Sequence, residues 1–272
     1  MIIQTAPTGH PHLVIFQTDH AQTSGQIAAA FGNEAFASPS PYEPMVYVAT
    51  HHDAGWQPID ARVEMDVKTG LPYHLTQTPL PYLLQTSAGS PEFNAAHHPY
   101  SGLMSSMHTY GLFNGRYGLS DKIFIDLVPA EHKASVQNML DTELIRQAQL
   151  EEQLAADSAT QACAAPEILL HNYKLLQFFD TLALYFQMSH EAARGESQFL
   201  NVPRAVGDDV TITIKLVEPS IYSLSPYPFQ NDELTLSYEG RWLTPQPVGT
   251  DLKALLAEIA PITEEVILVR SA

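Results

Sequence analysis

The spacing of apolar residues changes along this chain, alternating at both ends and helical through the middle. Residues 1–17 alternate around Thr8-Gly9-His10-Pro11, which predicts a β-hairpin leading into Leu13-Val14-Ile15-Phe16. Asp19 is placed to cap a helix through Ile27, Ala28 and Phe31, closed by Gly32. A Pro/Ser loop over 33–44 leads to Met45-Val46-Tyr47-Val48-Ala49-Thr50. Its β-branched content suggests a strand, although the run fits a buried helix as well. Residues 57–95 are rich in Pro, Thr and Gly with little periodicity, and are expected to form an extended, lid-like segment.

Pro99 opens the next predicted helix, with Leu103, Met104, Met107 and Leu112 on its apolar side. A charged amphipathic helix over 129–157 and a more apolar one over 166–190 follow. Alternation returns in Val210-Thr211-Ile212-Thr213-Ile214 and Leu234-Thr235-Leu236-Ser237-Tyr238, punctuated by Pro203, Pro219, Pro226 and Pro228. A helix over 250–259 and a strand over 265–270 end the pattern. The expected fold is mainly α: a helical domain over 1–200 with an N-terminal hairpin, and a β-rich part over 201–272 packing on the same domain. The two ends would build one small antiparallel sheet, α+β overall.

Composition narrows the function. The 272 residues suffice for a full core. With a net charge of −17 and only 13 basic residues, none clustered, nucleic acid is not an expected partner. The single cysteine, Cys163, excludes an internal disulfide framework, and its Ala/Gln-rich surroundings do not suggest a ligand or nucleophile. No basic patch with a long apolar run opens the chain, and no run reaches the length of a membrane span. A cytoplasmic protein without a membrane partner is expected.

The chemistry lies in His20, His52-Asp53, His108 and Asp180, each in or beside an apolar, helix-like stretch. Buried unpaired, such groups are costly. A divalent metal is the most economical shared partner, since imidazole nitrogen and carboxylate oxygen are ligands that iron, zinc and manganese take. Around Asp180, residues Tyr173, Leu176, Gln177 and Leu184 fall at −7, −4, −3 and +4, which sets the carboxylate on an apolar stripe. The competing reading is a buried cap or an ion pair with Arg or Lys. His108 sits between Met104 and Leu112 and alone reads as a satisfied core histidine. Adjacent helical residues point about 100° apart. His52 and Asp53 can therefore serve one metal from two directions, or one metal and a bridge to a second. Gly55-Trp56 marks a tight exit against a bulky wall.

His98, at a helix entrance, is a candidate second-metal ligand; His97, His51, His10, His12 and His74 are weaker ones. His132, His171 and His190 read as surface histidines, and Arg116 and Lys174 as candidate anion contacts for a substrate. Phosphate-loop, dinucleotide-binding, nucleophile-elbow, H-E-x-x-H and Cys-x-x-Cys patterns are all missing.

The segments Gln17-Thr18-Asp19-His20, His52-Asp53-Ala54-Gly55-Trp56, Pro99 to His108, Asn172 to Leu184 and Pro226-Tyr227-Pro228-Phe229 resemble, in order, the domain of unknown function 3891 family. The same order of motifs resembles the wider HD-domain superfamily of helical metal-binding proteins. That resemblance implies an HD-like helical bundle with His20, His52, Asp53 and Asp180 on a first metal. In its dinuclear members Asp53 would bridge to a second metal held by His108 and by His97 or His98. The ten-residue spacing of His98 and His108 departs from common dinuclear spacing, and the β-rich ends lie outside the HD core.

The implied activity is metal-dependent hydrolysis of a small-molecule phosphate ester with one or two ions, Fe or Mn first. Asp53 would orient the water, and a histidine such as His108 would protonate the leaving oxygen. A metal's local charge allows an anionic substrate despite the acidic chain. The alternatives are a di-iron oxygenase resembling myo-inositol oxygenase, and a sensor or binding protein with a structural metal.

Overall fold

A computed structural model describes residues 1–271. The chain opens with β1 (Ile2–Ile3) and β2 (His12–Ile15), the predicted hairpin, and α1 (Gln17–Ala30). The helix starts two residues before Asp19, which lies in its first turn and makes no side-chain cap. Then come α2 (Tyr42–His51), a 3-10 turn over Ala54–Trp56, α3 (Gln57–Asp60), and the small hairpin β3 (Met65–Asp66) and β4 (Leu71–Pro72). The helical middle continues with α4 (Leu80–His97), α5 (Pro99–Phe113), α6 (Phe124–Leu127), α7 (Ala130–Ala156) and α8 (Pro166–Met188). The remainder is β5 (Ser197–Ala205), β6 (Asp208–Glu218), β7 (Ile221–Ser225), β8 (Glu233–Leu243), α9 (Leu252–Glu258) and β9 (Ile262–Arg270).

Two helices depart from the sequence pattern. Residues 45–50 lie in α2, where Met45, Val48 and Ala49 are buried at helical spacing and override the β-branched content. Much of the segment expected to be extended is α4. Its buried residues are Thr86, Ser90, Pro91 and Asn94, a face held by hydrogen bonds rather than an apolar stripe, so no helical period is written in its hydrophobicity.

The expected small antiparallel sheet on an HD-like helical bundle does not form. The chain is 51% helical and carries a seven-stranded mixed sheet. The strand order is β1-β2-β8-β9-β7-β6-β5, antiparallel throughout except for the parallel pair β7 and β9. The two ends do join, through β2 on β8. What the sequence pattern concealed is β5 and β7. Pro203 lies inside β5, which is an edge strand with register shifts, the setting in which a strand tolerates proline. The short β7 lies between Pro219 and Pro226.

Helix α8 is the central pillar, with nearly every residue from His171 to Ala183 buried, as befits a helix that is apolar on most sides. It packs on α1, α2 and α5 and against β5, while α1 also lies on β8. Phe31, directly after α1, meets Phe178 and Phe179 of α8 and Phe229, with ring centroids 5.4–6.5 Å apart. This aromatic cluster ties the helices to the sheet and fixes α1 against α8, the relationship that the site depends on.

Candidate metal centre

Four helices deliver the titratable groups to one buried spot. His20 lies in the first turns of α1, His52 caps the end of α2, Asp53 opens the 3-10 turn, His108 lies in α5 and Asp180 in α8. Relative exposure is 1% for His20 and His52, 4% for His108 and 5% for Asp180, so water solvates none of them well. Gly55 lets the turn press on α4: a Cβ there would meet the Thr86 carbonyl at 2.3 Å and the Ser90 nitrogen at 2.6 Å. The Gly55 N–H donates to Ser90 Oγ at 2.9 Å, which locks the contact.

Asp180 Oδ1 lies 3.1 Å from His20 Nε2 and 3.8 Å from His52 Nε2, and Asp53 Oδ2 lies 4.0 and 3.6 Å from the same two nitrogens. Donor atoms about 2.1 Å from a single tetrahedral ion stand about 3.4 Å apart. The observed spacings bracket that value.

Hydrogen bonds fix which nitrogens are free. The Thr23 hydroxyl donates to the Asp19 carbonyl and accepts from Gln187 Nε2, so the Gln187 amide oxygen faces His20 and accepts its Nδ1–H at 2.7 Å. His52 donates its Nδ1–H to the Ala49 carbonyl at 2.9 Å. Both imidazoles are thereby oriented with Nε2 toward the carboxylates, the arrangement by which metal-binding histidines are held. His52 Nε2 is buried and has no hydrogen-bond partner among the described residues. His20 Nε2 faces a carboxylate oxygen and needs a proton or a cation between them.

The protonation balance says the same. Burial works against charge on His20, but its hydrogen bond to Asp180 and the charges of Asp180 and Asp53 raise its pKa above the usual histidine value. Burial likewise opposes ionised Asp180, yet the His20 hydrogen bond and the surrounding histidines hold its pKa well below the usual carboxylate range. Burial pushes Asp53 upward against the pull of His52 and His20. His108, buried, is depressed to about 3 and is neutral. His20, His52 and Asp180, whose ligand atoms all lie within 4.8 Å of one another, could hold a divalent ion, with Asp53 beside His52.

His108 is also close, within a group formed with His52 and Asp53 whose ligand atoms lie within 4.8 Å of one another. That group and the group of His20, His52 and Asp180 share His52, whose only free nitrogen can serve one ion. The His108 Nδ1 accepts from Gln177 Nε2 at 2.7 Å, which leaves Nε2–H as a donor.

The other predicted residues lie elsewhere. His98 caps α5, its Nδ1 accepting from the Tyr100 N–H at 3.0 Å, and His97 stacks on Tyr47. His51 also stacks on Tyr47, His12 bonds the Gln4 carbonyl, and His74 Nδ1 accepts from the Ile3 N–H. His171, read as a surface histidine, is 8% exposed. Arg116 and Lys174 line a separate cleft.

The orienting roles of Gln187 on His20 and Gln177 on His108 were not legible in the sequence. Gln187 lies two helical turns beyond Asp180 on the same face of α8, a signal that only a partner on α1 makes meaningful.

His52, Asp53 and His108 open onto a chamber of about 290 Å³. Trp56, Leu75, Leu83, Leu112, Phe113 and Phe124 form its apolar wall; Thr76, Thr86, Ser87, Ser90 and Thr109 supply hydroxyls, and no Lys or Arg among the described residues lines it. Much of this wall comes from the 57–95 segment.

The model of the family described as protein of unknown function (DUF3891) matches residues 1–245. The chain belongs to that family. No curated protein and no solved structure matches it. No helix among the described residues is long and apolar enough to cross a membrane.

Proposed function

We propose that this chain is a mononuclear metal-dependent hydrolase of a small organic ester, phosphate esters included, whose remaining part is apolar. The observation that carries the reading is the buried Nε2 of His52, unpartnered among the described residues, beside two carboxylates and His20 in the lining of an apolar chamber. The ligand set His20, His52, Asp53 and Asp180 follows the order of the HD-domain pattern, on a different overall architecture.

When bound, a divalent ion such as Mn or Fe supplies positive charge that acidifies a water and polarises the bond to be broken. The chain supplies the rest. Asp53, the more exposed carboxylate at 16% and raised in pKa, is positioned to orient a water and take its proton. Neutral His108 offers its Nε2–H as a hydrogen bond to the oxygen that gains charge. The apolar wall excludes bulk water and selects the leaving group.

A second reading, iron-dependent oxidation, draws on the same wall, which suits an uncharged organic substrate. The sharing of His52 between the two groups disfavours the di-iron form of that reading. An assay of metal-supplemented protein against nitrophenyl carboxylic and phosphate esters tests the proposal. Turnover that chelation abolishes and manganese restores supports hydrolysis. Inert esters with substrate-dependent oxygen uptake by the iron form would overturn it.

A further inference from the structure

A second cleft, of about 310 Å³, lies between the Gly115–Ser120 segment, α8 and β5. Its lining shares no residue with that of the chamber and includes Gln177, the residue that also contacts His108. In a chain of net charge −17 with 13 basic residues, two of them, Arg116 and Lys174, line this one cleft, and no Asp or Glu among the described residues does.

Arg116 is held there at a conformational cost. Gly115, Arg116, Tyr117 and Gly118 have φ of +64°, +52°, +55° and +83°, so two non-glycine residues in succession occupy the left-handed region. Such backbone persists only where its surroundings hold it. Here Tyr117 is the anchor: its hydroxyl donates to Gln147 Oε1 at 3.2 Å and its ring packs edge-on to Tyr173 at 4.9 Å. The half-buried Arg116 guanidinium has no ion-pair or hydrogen-bond partner among the described residues. Lys174 is paired with Asp209, which tempers its charge. Thr181 and Gln198 add neutral hydrogen-bonding groups, and Phe178 and Phe199 form an apolar side.

We propose that this cleft binds a small organic oxyanion, a carboxylate or a phosphate. Arg116 and Lys174 hold the charged end, and Phe178 and Phe199 the apolar part. A guanidinium recognises either group through paired N–H donors, and a free one in a cleft of ligand size is poised to do so. This site stands on its own residues and does not depend on a metal being bound.

The test is calorimetric titration of chelator-treated full-length protein with inorganic phosphate, phenyl phosphate and benzoate. Phenyl phosphate is expected to bind more tightly than inorganic phosphate. Arg116→Gln should weaken binding by about tenfold or more, and Arg116→Lys by less, because it keeps the charge but loses the paired donors. Lys174→Met should cost several-fold, and His52→Gln should leave the affinity unchanged. Circular dichroism checks that each variant is folded. No binding of any probe at millimolar concentration, or wild-type affinity in folded Arg116→Gln, would overturn the proposal. So would binding that requires added manganese and is lost in His52→Gln, which would locate the anion at the metal centre instead.

Discussion

His20 Nε2 and Asp180 Oδ1 face each other at 3.1 Å between α1 and α8, while the other nitrogen of His20 already gives its proton to Gln187. The pair is therefore satisfied by a second proton on His20 or by a metal, and these compete. The raised pKa of His20 means that the metal must displace that proton at pH values where an ordinary histidine has already begun to lose it. Metal affinity should rise with pH, by up to about tenfold per unit until the His20 proton is gone, and then level off. Titration calorimetry in buffers of different ionisation enthalpy should find about one proton released per ion bound.

The same pair gives metal-free protein a pH signature. A raised histidine contributes stability that is full below its unfolded value of 6.5 and is lost as pH rises through the higher folded value. The lowered Asp180 contributes stability present above 3.8 and lost as pH falls through its folded value. His108, depressed to about 3, works in the opposite sense to His20: protonation of the unfolded chain costs stability as pH falls below 6.5. Wild-type Tm minus that of Asp180→Asn, both metal-free, isolates the pair. The difference should be largest between about pH 4 and 6.5 and shrink toward pH 9. A difference that grows toward alkaline pH would contradict the assignment.

Gln187→Leu removes the acceptor that holds the His20 ring. Outer hydrogen-bond partners of metal-binding histidines are worth about 10- to 100-fold in affinity. A loss of that size, with Gln187→Glu retaining near wild-type affinity, is expected from competition with a calibrated chelator.

Gly55→Ala introduces a Cβ where the Thr86 carbonyl lies at 2.3 Å, a clash with backbone that only movement of the turn relieves. A loss of about 1–3 kcal/mol in stability is expected from urea unfolding. Weaker metal binding should accompany it, because Asp53 rides on the same turn.

Asp53→Asn and His108→Ala should separate chemistry from binding. His108→Ala should keep its metal and lose activity, while Asp53→Asn should lose activity by about 10²- to 10⁴-fold with weaker but measurable metal binding. Loss of all metal in His108→Ala would instead make it a ligand of the first ion.

The residues of this buried cluster stood out in the sequence because each broke a rule: an aspartate on the apolar stripe of α8, a His-Asp pair before a Gly-Trp exit, and histidines in apolar runs. Their convergence was not, since it depends on the aromatic packing of Phe31 on α8. Helix α4, which walls the chamber, escaped because its buried face is Thr86, Ser90 and Asn94 rather than apolar. The full sheet escaped because β5 hides a proline on an edge and β7 pairs in parallel with a strand far along the chain. His98 and His97 look like ligands in the sequence and instead cap and stack. Local pattern cannot distinguish those uses of an imidazole.

The most direct test is elemental analysis of protein purified without a histidine tag, alongside Asp180→Ala. Wild-type protein should carry about one divalent ion per chain and the variant almost none. Wild-type protein that takes up no metal when supplied with manganese, iron or zinc would contradict the proposed metal centre, as would full metal content in Asp180→Ala.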